Sequence, residues 1–594
     1  MGKIHRITGR PLSAPLSAPL SALLLAVLLA AVSAGPAAAS VFDHSEFDAT
    51  LTAPFQGDAN GARSFTLVFD YPLVAAPQTV TWRLELFAPD GRVVRQWDGT
   101  RSLVRGPVSV DVRWDGRVGA ALAPAGIYRV RMQAWSRDAA AGATGTSGPN
   151  ATGTSGPNAT GDSGPAGTGV GSPAALEDVA VQQWDIAVGR IAAPPMPPFR
   201  ALPRSGDETN ASPATGSLPY TVYLGNLHSQ TSHSDGGGEL AGCSGAQDPQ
   251  SGEFGPTDAY TFAQKRGLDI LVTSEHNHMY DGSDGTRPDA EPADVSALFR
   301  SGLTAASDFN VAHPGFLAVY ALEWGVIAKG GHMNIFNSTE LLGWERNAGG
   351  QLLADTFTPK SDYAALYALM RQRGWVGQFN HPAQGGQFLI GGVPLGYSAD
   401  GDQAMALCEV VNTNAFSTNT SETEARRSNF EFACNKALEA GYHVAFSTNQ
   451  DNHCANWGAS YTNRTGVLLP AGRKLSNSGF IDALKARRVF ATMDKGSQLV
   501  LTANGHLMGE RFVNSGPLAL VAHFANAAGK AVSMVTMFEG VPGRNGSVSQ
   551  LSGSATTTIT PTPGEHFYYV RVTQEDGNML WSAPVWVTQL APSK

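Results

Sequence analysis

Hydrophobic and polar positions change their rhythm twice along the chain. In the first part the runs 64–70 (SFTLVFD), 80–87 (VTWRLELF), 108–114 (VSVDVRW), 127–135 and 179–188 alternate apolar with polar residues. Period two is the mark of half-buried strands. Asp90-Gly91 and Asp115-Gly116 supply tight turns between them. A small antiparallel sandwich is predicted. From residue 220 the apolar runs become continuous: 220–224 (YTVYL), 270–274 (ILVTS), 316–322 (FLAVYAL), 375–379 (WVGQF) and 442–447 (YHVAFS). Such runs predict fully buried strands. Helix-like segments separate them at 256–266, 361–373, 422–440 and 480–488. Pro256 opens the first and Ser361 caps the second, while Gly267, Gly374 and Gly441 end the first three. Alternating strand and helix predicts a parallel barrel or sheet. From Leu499 short alternating runs return, at 499–503, 518–524, 532–538, 556–559, 567–573 and 585–587, with turn signals at Asn504-Gly505 and Asp576-Gly577. These predict a second sandwich.

Composition fills in the joints. The first 39 residues carry Lys3, His5, Arg6 and Arg10 and then an apolar stretch at 20–32 followed by small residues. This is the order of a secretory signal. The apolar stretch is shorter than the roughly 20 residues a membrane span needs. The octapeptide ATGTSGPN at 143–150 recurs at 151–158, and ATGDSGPA follows at 159–166. Gly, Ser, Thr and Pro bury too little apolar area to offset ordering, which predicts a disordered insertion at 143–166. The predicted organisation is a signal at 1–39, a β-sandwich at 40–193, a Pro-rich linker at 194–217, a ligand-bearing α/β domain at 218–496 and a β-sandwich at 497–594.

The central strands end in chemistry. Residues 220–224 lead to His228, Gln230, His233 and Asp235; 270–274 lead to Glu275 and His276; 316–322 lead to Glu323 and His332. Residues 375–379 lead to Asn380 and His381, and 442–447 lead to Asp451 and His453. Each position alone has an ordinary structural explanation: a hydrogen-bonded core histidine, an Asp-Gly turn, a rigid His-Pro turn. Glu323 is the exception, because a carboxylate ending an apolar run is costly unless it is paired or coordinating. Imidazole and carboxylate together suit zinc, manganese or iron.

In order and spacing these residues resemble the PHP family (polymerase and histidinol phosphatase) over roughly 218–496. The stretch from Asn226 to Gln230, followed by Ser234-Asp235-Gly236, matches the family's D-L-H-x-H…S-D-G; Gly267 to Leu271, followed by Glu275-His276-Asn277, matches its G-L-D-F-L…D-H-N. Gln230 stands where the family has histidine, and Glu275 where it has aspartate. The resemblance implies a distorted (β/α)7 TIM-like barrel, here set between two sandwiches, and two or three divalent ions. By resemblance one ion takes Asp235, His276 and His453, a second takes Glu323, His332 and His381, and a third takes His228, Gln230 and Asp451, with Glu323 bridging. The implied reaction is hydrolysis of phosphate mono- or diesters, with His228, Asp235, His276, Glu323, Asp451 and His453 as the catalytic group. A metal-dependent amide or ester hydrolase on the same barrel, and a non-catalytic surface protein with a degenerate barrel, are the alternatives. Residues 114–132 resemble the immunoglobulin-like module of flagellar-hook capping proteins, which implies a scaffold or a cell-surface or polysaccharide contact.

Charge narrows the partners. With 41 basic and 50 acidic residues the net charge is −9, and no basic tract follows the N-terminus. A duplex-DNA binder needs concentrated positive charge, so none is expected; the resemblance implies a phosphorylated small molecule or polymer as the partner. Export to a secreted or periplasmic location permits disulfides among Cys243, Cys408, Cys434 and Cys454. Cys243 and Cys454 adjoin the ligand loops and could bridge; free buried thiols are the other reading. Glu409 is expected behind the ligands. His233 and His278 are expected to contact substrate or replace a ligand, and Arg487-Arg488 to be a solvated helix end or a phosphate contact. His443 is expected in the core, and His506, His523 and His566 to be structural.

Overall fold

The computed structural model describes residues 47–592 apart from 72–75, 105, 139–177, 205–217, 327–329 and 383–385. The signal-like start and the 143–166 repeat lie outside the described residues.

The N-terminal strands form two antiparallel sheets. One holds Asp48–Thr52, Arg63–Asp70 and Val108–Trp114; the other holds Val93–Leu103, Gln78–Phe87, Gly126–Asp138 and Asp178–Val188. Period two does its work here: Phe65, Leu67 and Phe69 point inward from one sheet and meet Leu84, Leu86, Val130 and Met132 from the other.

The centre is a mixed sheet. Tyr220–Asn226, Ile270–His276 and Leu317–Trp324 run parallel in that order. Met333–Ile335 then joins antiparallel, followed by Gly377–Phe379, Met405–Thr413 and Ala445–Asn449. On the other side Arg464–Pro470 pairs antiparallel with Tyr220–Asn226. Burial on both faces explains the unbroken apolar runs. The predicted parallel barrel or sheet is therefore a mixed sheet. Two antiparallel members interrupt it, and Ala445–Asn449 meets Arg464–Pro470 through side chains rather than a ladder. Thr448 N–H donates to Thr465 Oγ1 at 3.0 Å, and Asn463 Nδ2 to Asn449 O at 2.6 Å.

Helix boundaries also shift. Pro256–Lys265 forms as expected. The second helix is Tyr363–Arg373, capped by Asp362, whose carboxylate accepts from Ala365 N–H at 3.0 Å; Ser361 sits in the left-handed region. Only Glu431–Ala440 of the third is helical, because Arg427–Asn429 forms a strand against Val411 to Thr413. The fourth is Asn477–Lys485, capped by Ser476. Pro292–Ala312, the longest helix described, was not foreseen, since its small residues blur the apolar stripe.

The C-terminal strands do not form an independent sandwich. Met579–Ser582 pairs with Val489–Thr492 of the centre, so one sheet of 16 strands runs from the ligand-bearing region into the C-terminal one. A separate four-stranded sheet, with Ser497–Ala503 and Leu518–Asn526 in its middle, completes that region. The described part of the expected linker is docked, with Leu202 N–H donating to Gln498 Oε1 at 2.8 Å. A buried charge cluster joins the three parts: Arg571 donates to Asp185 at 3.0 Å and to Glu431. Among the described residues no helix is long and apolar enough to cross a membrane.

Candidate metal centre

The site lies where the parallel strands end. His276 and Glu323 are direct neighbours on adjacent parallel strands, and Asn334 faces Glu323 from the next. His332 immediately precedes Met333–Ile335, and His381 follows Gly377–Phe379 by two residues. The loops after Tyr220–Asn226 and Ala445–Asn449 bring in His228, Gln230, Asp235, Asp451 and His453. Gln230 N–H donates to Asn452 O at 2.9 Å, which docks one loop on the other. The Ser-Asp-Gly motif has a packing reason. A side chain at Gly236 would put its Cβ 2.5 Å from the Gln230 carbonyl carbon.

Four imidazoles converge on the Glu323 carboxylate: His228 at 3.0 Å, His332 at 3.1 Å, His381 at 3.5 Å and His276 at 3.6 Å. Asp235 lies 3.5 Å from His276 and 3.4 Å from His453, and Asp451 lies 3.0 Å from His228. The groups whose ligand atoms share a space fit for one ion are Asp235–His276–His453, His276–Glu323–His332 and His228–Glu323–His381. The first is the set the sequence implied. The other two redistribute His332 and His381 to either side of Glu323. Gln230 does reach the centre. Its Nε2 donates to Glu323 and, at 3.4 Å, to Asp451, while its buried Oε1 has no hydrogen-bond partner. A half-turn of the amide would exchange the two and present an oxygen ligand.

Three further polar residues orient this array. Glu409 stands 3.3 Å from His228 Nδ1 and accepts the His381 backbone N–H at 2.7 Å, so His228 Nε2 faces inward. Asn380 Nδ2 donates to Glu323 at 2.7 Å, and Asn412 Nδ2 to Asp451 at 3.3 Å. Asn412 was not singled out beforehand, and Asn380 was marked only by its place beside His381 at a strand end. His381 (φ 25°) and Asp451 (φ 51°) are held in the left-handed region, which costs energy in a non-glycine residue.

Burial and mutual charge pull against each other across the cluster. Burial opposes charge on His228, yet Asp451, Glu323 and Glu409 together raise its pKa well above the usual range. Burial likewise opposes the Glu323 charge and is outweighed by His228, His332 and His276. Against burial, Asp235 holds His453 at about 9. Buried imidazoles and carboxylates in this proportion, with the Gln230 oxygen unsatisfied, fit divalent transition-metal ions.

Other candidates fall elsewhere. His233 bonds Tyr320 OH at 2.7 Å, and burial pushes its pKa down to about 4. His278 stacks on Trp344 and lies 3.5 Å from Asp284. Neither replaces a ligand. Glu275 turns from the centre to accept from Ser234 Oγ and Thr231 Oγ1, each at 2.6 Å, and burial raises its pKa to about 7. Arg487 is half-buried and its guanidinium donates to backbone, to His443 O at 2.7 Å. His443 precedes its strand and pairs with Asp402 at 2.9 Å. Disulfides join Cys243 to Cys454 and Cys408 to Cys434. The first ties the loop after Asp235 to the residue following His453.

The centre opens into a cavity of about 560 Å³ lined also by Phe416, Phe430 and, from the N-terminal sheets, Asp48, Thr50 and Gln182.

No family model matches the chain, and no curated protein matches it. Among solved structures, a β-glucuronidase from Bacteroides uniformis aligns at 10% identity over 92% of this chain with a TM-score of 0.16. One from Parabacteroides merdae aligns at 8% identity over 93% with a TM-score of 0.15. This chain spans 62% and 65% of their lengths, respectively. Similarity at that level carries no argument about fold or activity.

Proposed function

We propose that the chain is an exported, PHP-like metal-dependent hydrolase that cleaves phosphate esters of small molecules. The observation that carries this is the convergence of four imidazoles on one buried carboxylate. A folded core has no use for such crowding, and the same-ended loops that create it follow the order of the family's ligand motifs. A distorted (β/α)7 barrel, with its antiparallel members as departures, is the finer fold reading. The strained φ angles of His381 and Asp451 add a functional signature. Disulfides adjoining the site suit an oxidising compartment.

Asp235, His276 and His453 would hold one ion; Glu323 with His228, His276, His332 and His381 would hold the others. When bound, such ions polarise a phosphoryl oxygen and bring the acidity of water near neutrality. The chain's own residues prepare the site. Glu409 fixes the His228 ring, Asn380 fixes Glu323, and Phe416, 5.1 Å from the His453 ring, shields that edge from bulk water. A cavity of about 560 Å³ suits a small molecule.

The second reading is an amide or carboxyl-ester hydrolase. It is favoured by the cavity lining, where aromatic rings are plentiful and, among the described residues, Arg426 is the one Lys or Arg. A panel of phosphomonoesters, phosphodiesters, carboxyl esters and anilides, assayed with and without chelator, tests both. Chelator-sensitive phosphate release, restored by zinc or manganese, is expected. Cleavage confined to carboxyl derivatives would transfer the assignment, and no turnover with ions bound would indicate the binding protein.

A further inference from the structure

The cavity has a second polar wall, opposite in character to the metal centre and built largely by the N-terminal sheet. Asp48 and Asp70 are direct cross-strand partners in the antiparallel pair formed by Asp48–Thr52 and Arg63–Asp70, and both line the cavity. Like charges placed opposite one another destabilise a sheet, so this pair is a local cost. Thr50, two residues along the same face, is buried, and its Oγ1 has no hydrogen-bond partner. From the central region Arg426 faces them. Its charge acts on both carboxylates, yet no hydrogen bond or ion pair joins its guanidinium to either, and its buried Nε has no partner. Asn412 bridges the two walls. Its Nδ2 donates to Asp451, and its buried Oδ1 is unpartnered. Asp48 also feels His381, which places this wall within electrostatic reach of the metal centre.

Donors and acceptors left unsatisfied together around one cavity are costly unless a ligand completes them. Thr50 Oγ1, Asn412 Oδ1 and Arg426 Nε are the buried atoms left unpartnered, and the carboxylates of Asp48 and Asp70 flank them in the cavity lining. A hydroxyl gives and accepts at once, so adjacent hydroxyls can satisfy a carboxylate and the guanidinium from the same two carbons. Phe47 and Phe430 offer apolar faces for the C–H side of such a group. With two acids against one base, the wall disfavours a second anion on the ligand.

We propose that Asp48, Thr50, Asp70, Asn412 and Arg426 form a recognition subsite for a polyhydroxylated group, so that the substrate is a sugar or polyol ester whose reacting end lies at the metal centre. This rests on the hydrolase reading for the reacting end but not for the hydroxyl-bearing end.

The test is calorimetric titration of the full chain with the neutral probes glucose and myo-inositol, for wild type, Arg426→Ala and Thr50→Val. At least one polyol should bind wild type, and both substitutions should weaken it about tenfold or more with metal content unchanged. Alongside, the ratio of kcat/KM for glucose 1-phosphate over phenyl phosphate should fall about tenfold in Arg426→Ala. Thr50→Val, nearly the same shape, guards against a folding artefact. Absence of polyol binding to wild type, or binding untouched by both substitutions, overturns the subsite. Tighter binding of serine or aspartate than of either polyol would assign it to a zwitterion instead and equally overturn the proposal. Polyol binding that persists while no phosphoester is cleaved would leave the subsite standing and remove only the phosphoesterase reading.

Discussion

Histidine meets carboxylate in two parts of this molecule, and the two meetings differ. In the C-terminal sheets His566 pairs with Glu539 at 2.9 Å and His506 with Glu510 at 2.9 Å. Each ring has one acid, and His506 and Glu510 are well exposed. In the centre Glu323, essentially without solvent access, is surrounded by four rings, and two further aspartates stand behind them. A single pair can be ordinary surface electrostatics. A buried acid shared among several bases, each oriented by a further polar group, is the arrangement the proposed ions would use. Convergence, rather than the presence of histidine, distinguishes a site from a structural contact.

The sharpest way to break the comparison is to neutralise one acid from each region. Glu323→Gln should abolish turnover and lower metal affinity by more than the roughly 100-fold seen when an outer-shell group is lost. Glu539→Gln should leave both unchanged and alter stability by about 1 kcal/mol, since the amide oxygen can still accept from the largely buried His566 and from Tyr568. Metal affinity and turnover measured for both variants decide it; equal effects would erase the distinction between the regions.

Next in size is Glu409→Gln. Glu409 touches the ligands but is not itself one of the clustered groups, so its loss should loosen His228 and His381 and weaken metal binding about 10–100-fold. Affinity equal to wild type would make Glu409 a bystander.

The smallest effect is expected at Gln230. An amide oxygen is a poorer ligand than imidazole for a borderline cation, and here the amide presents its N–H to the acids. The ion beside His228 and Asp451 should be the weakest held, and Gln230→His should tighten it about tenfold. A metal titration showing equal affinities for every ion in both proteins would contradict this.

Much of the centre was legible in the chain because ligand chemistry is local. His276 and Glu323 lie at the ends of their apolar strands, His228, Asp235, His381, Asp451 and His453 lie just beyond theirs, and His332 immediately precedes Met333–Ile335, so strand ends place all eight. What was hidden depends on distant contacts. The segment before Glu431 has helix-favouring residues, but Asn429 N–H donates to Gln182 of the N-terminal sheets at 2.7 Å, and strand pairing prevailed over propensity. The second wall of the cavity joins residues more than 370 apart, as the Thr52–Ala425 hydrogen bond shows, so no local pattern could announce it. The grouping of the imidazoles around Glu323 was also hidden, since it depends on which ring lies on which side of one carboxylate.

The central claim is that Glu323 organises a metal centre. Its most direct test is elemental analysis of the purified full chain after equilibrium dialysis at micromolar free zinc or manganese, beside Glu323→Gln treated identically. The account predicts at least two ions per chain in the wild type and a loss of at least one in the variant. Fewer than one ion in the wild type, or the same number in both proteins, would contradict it.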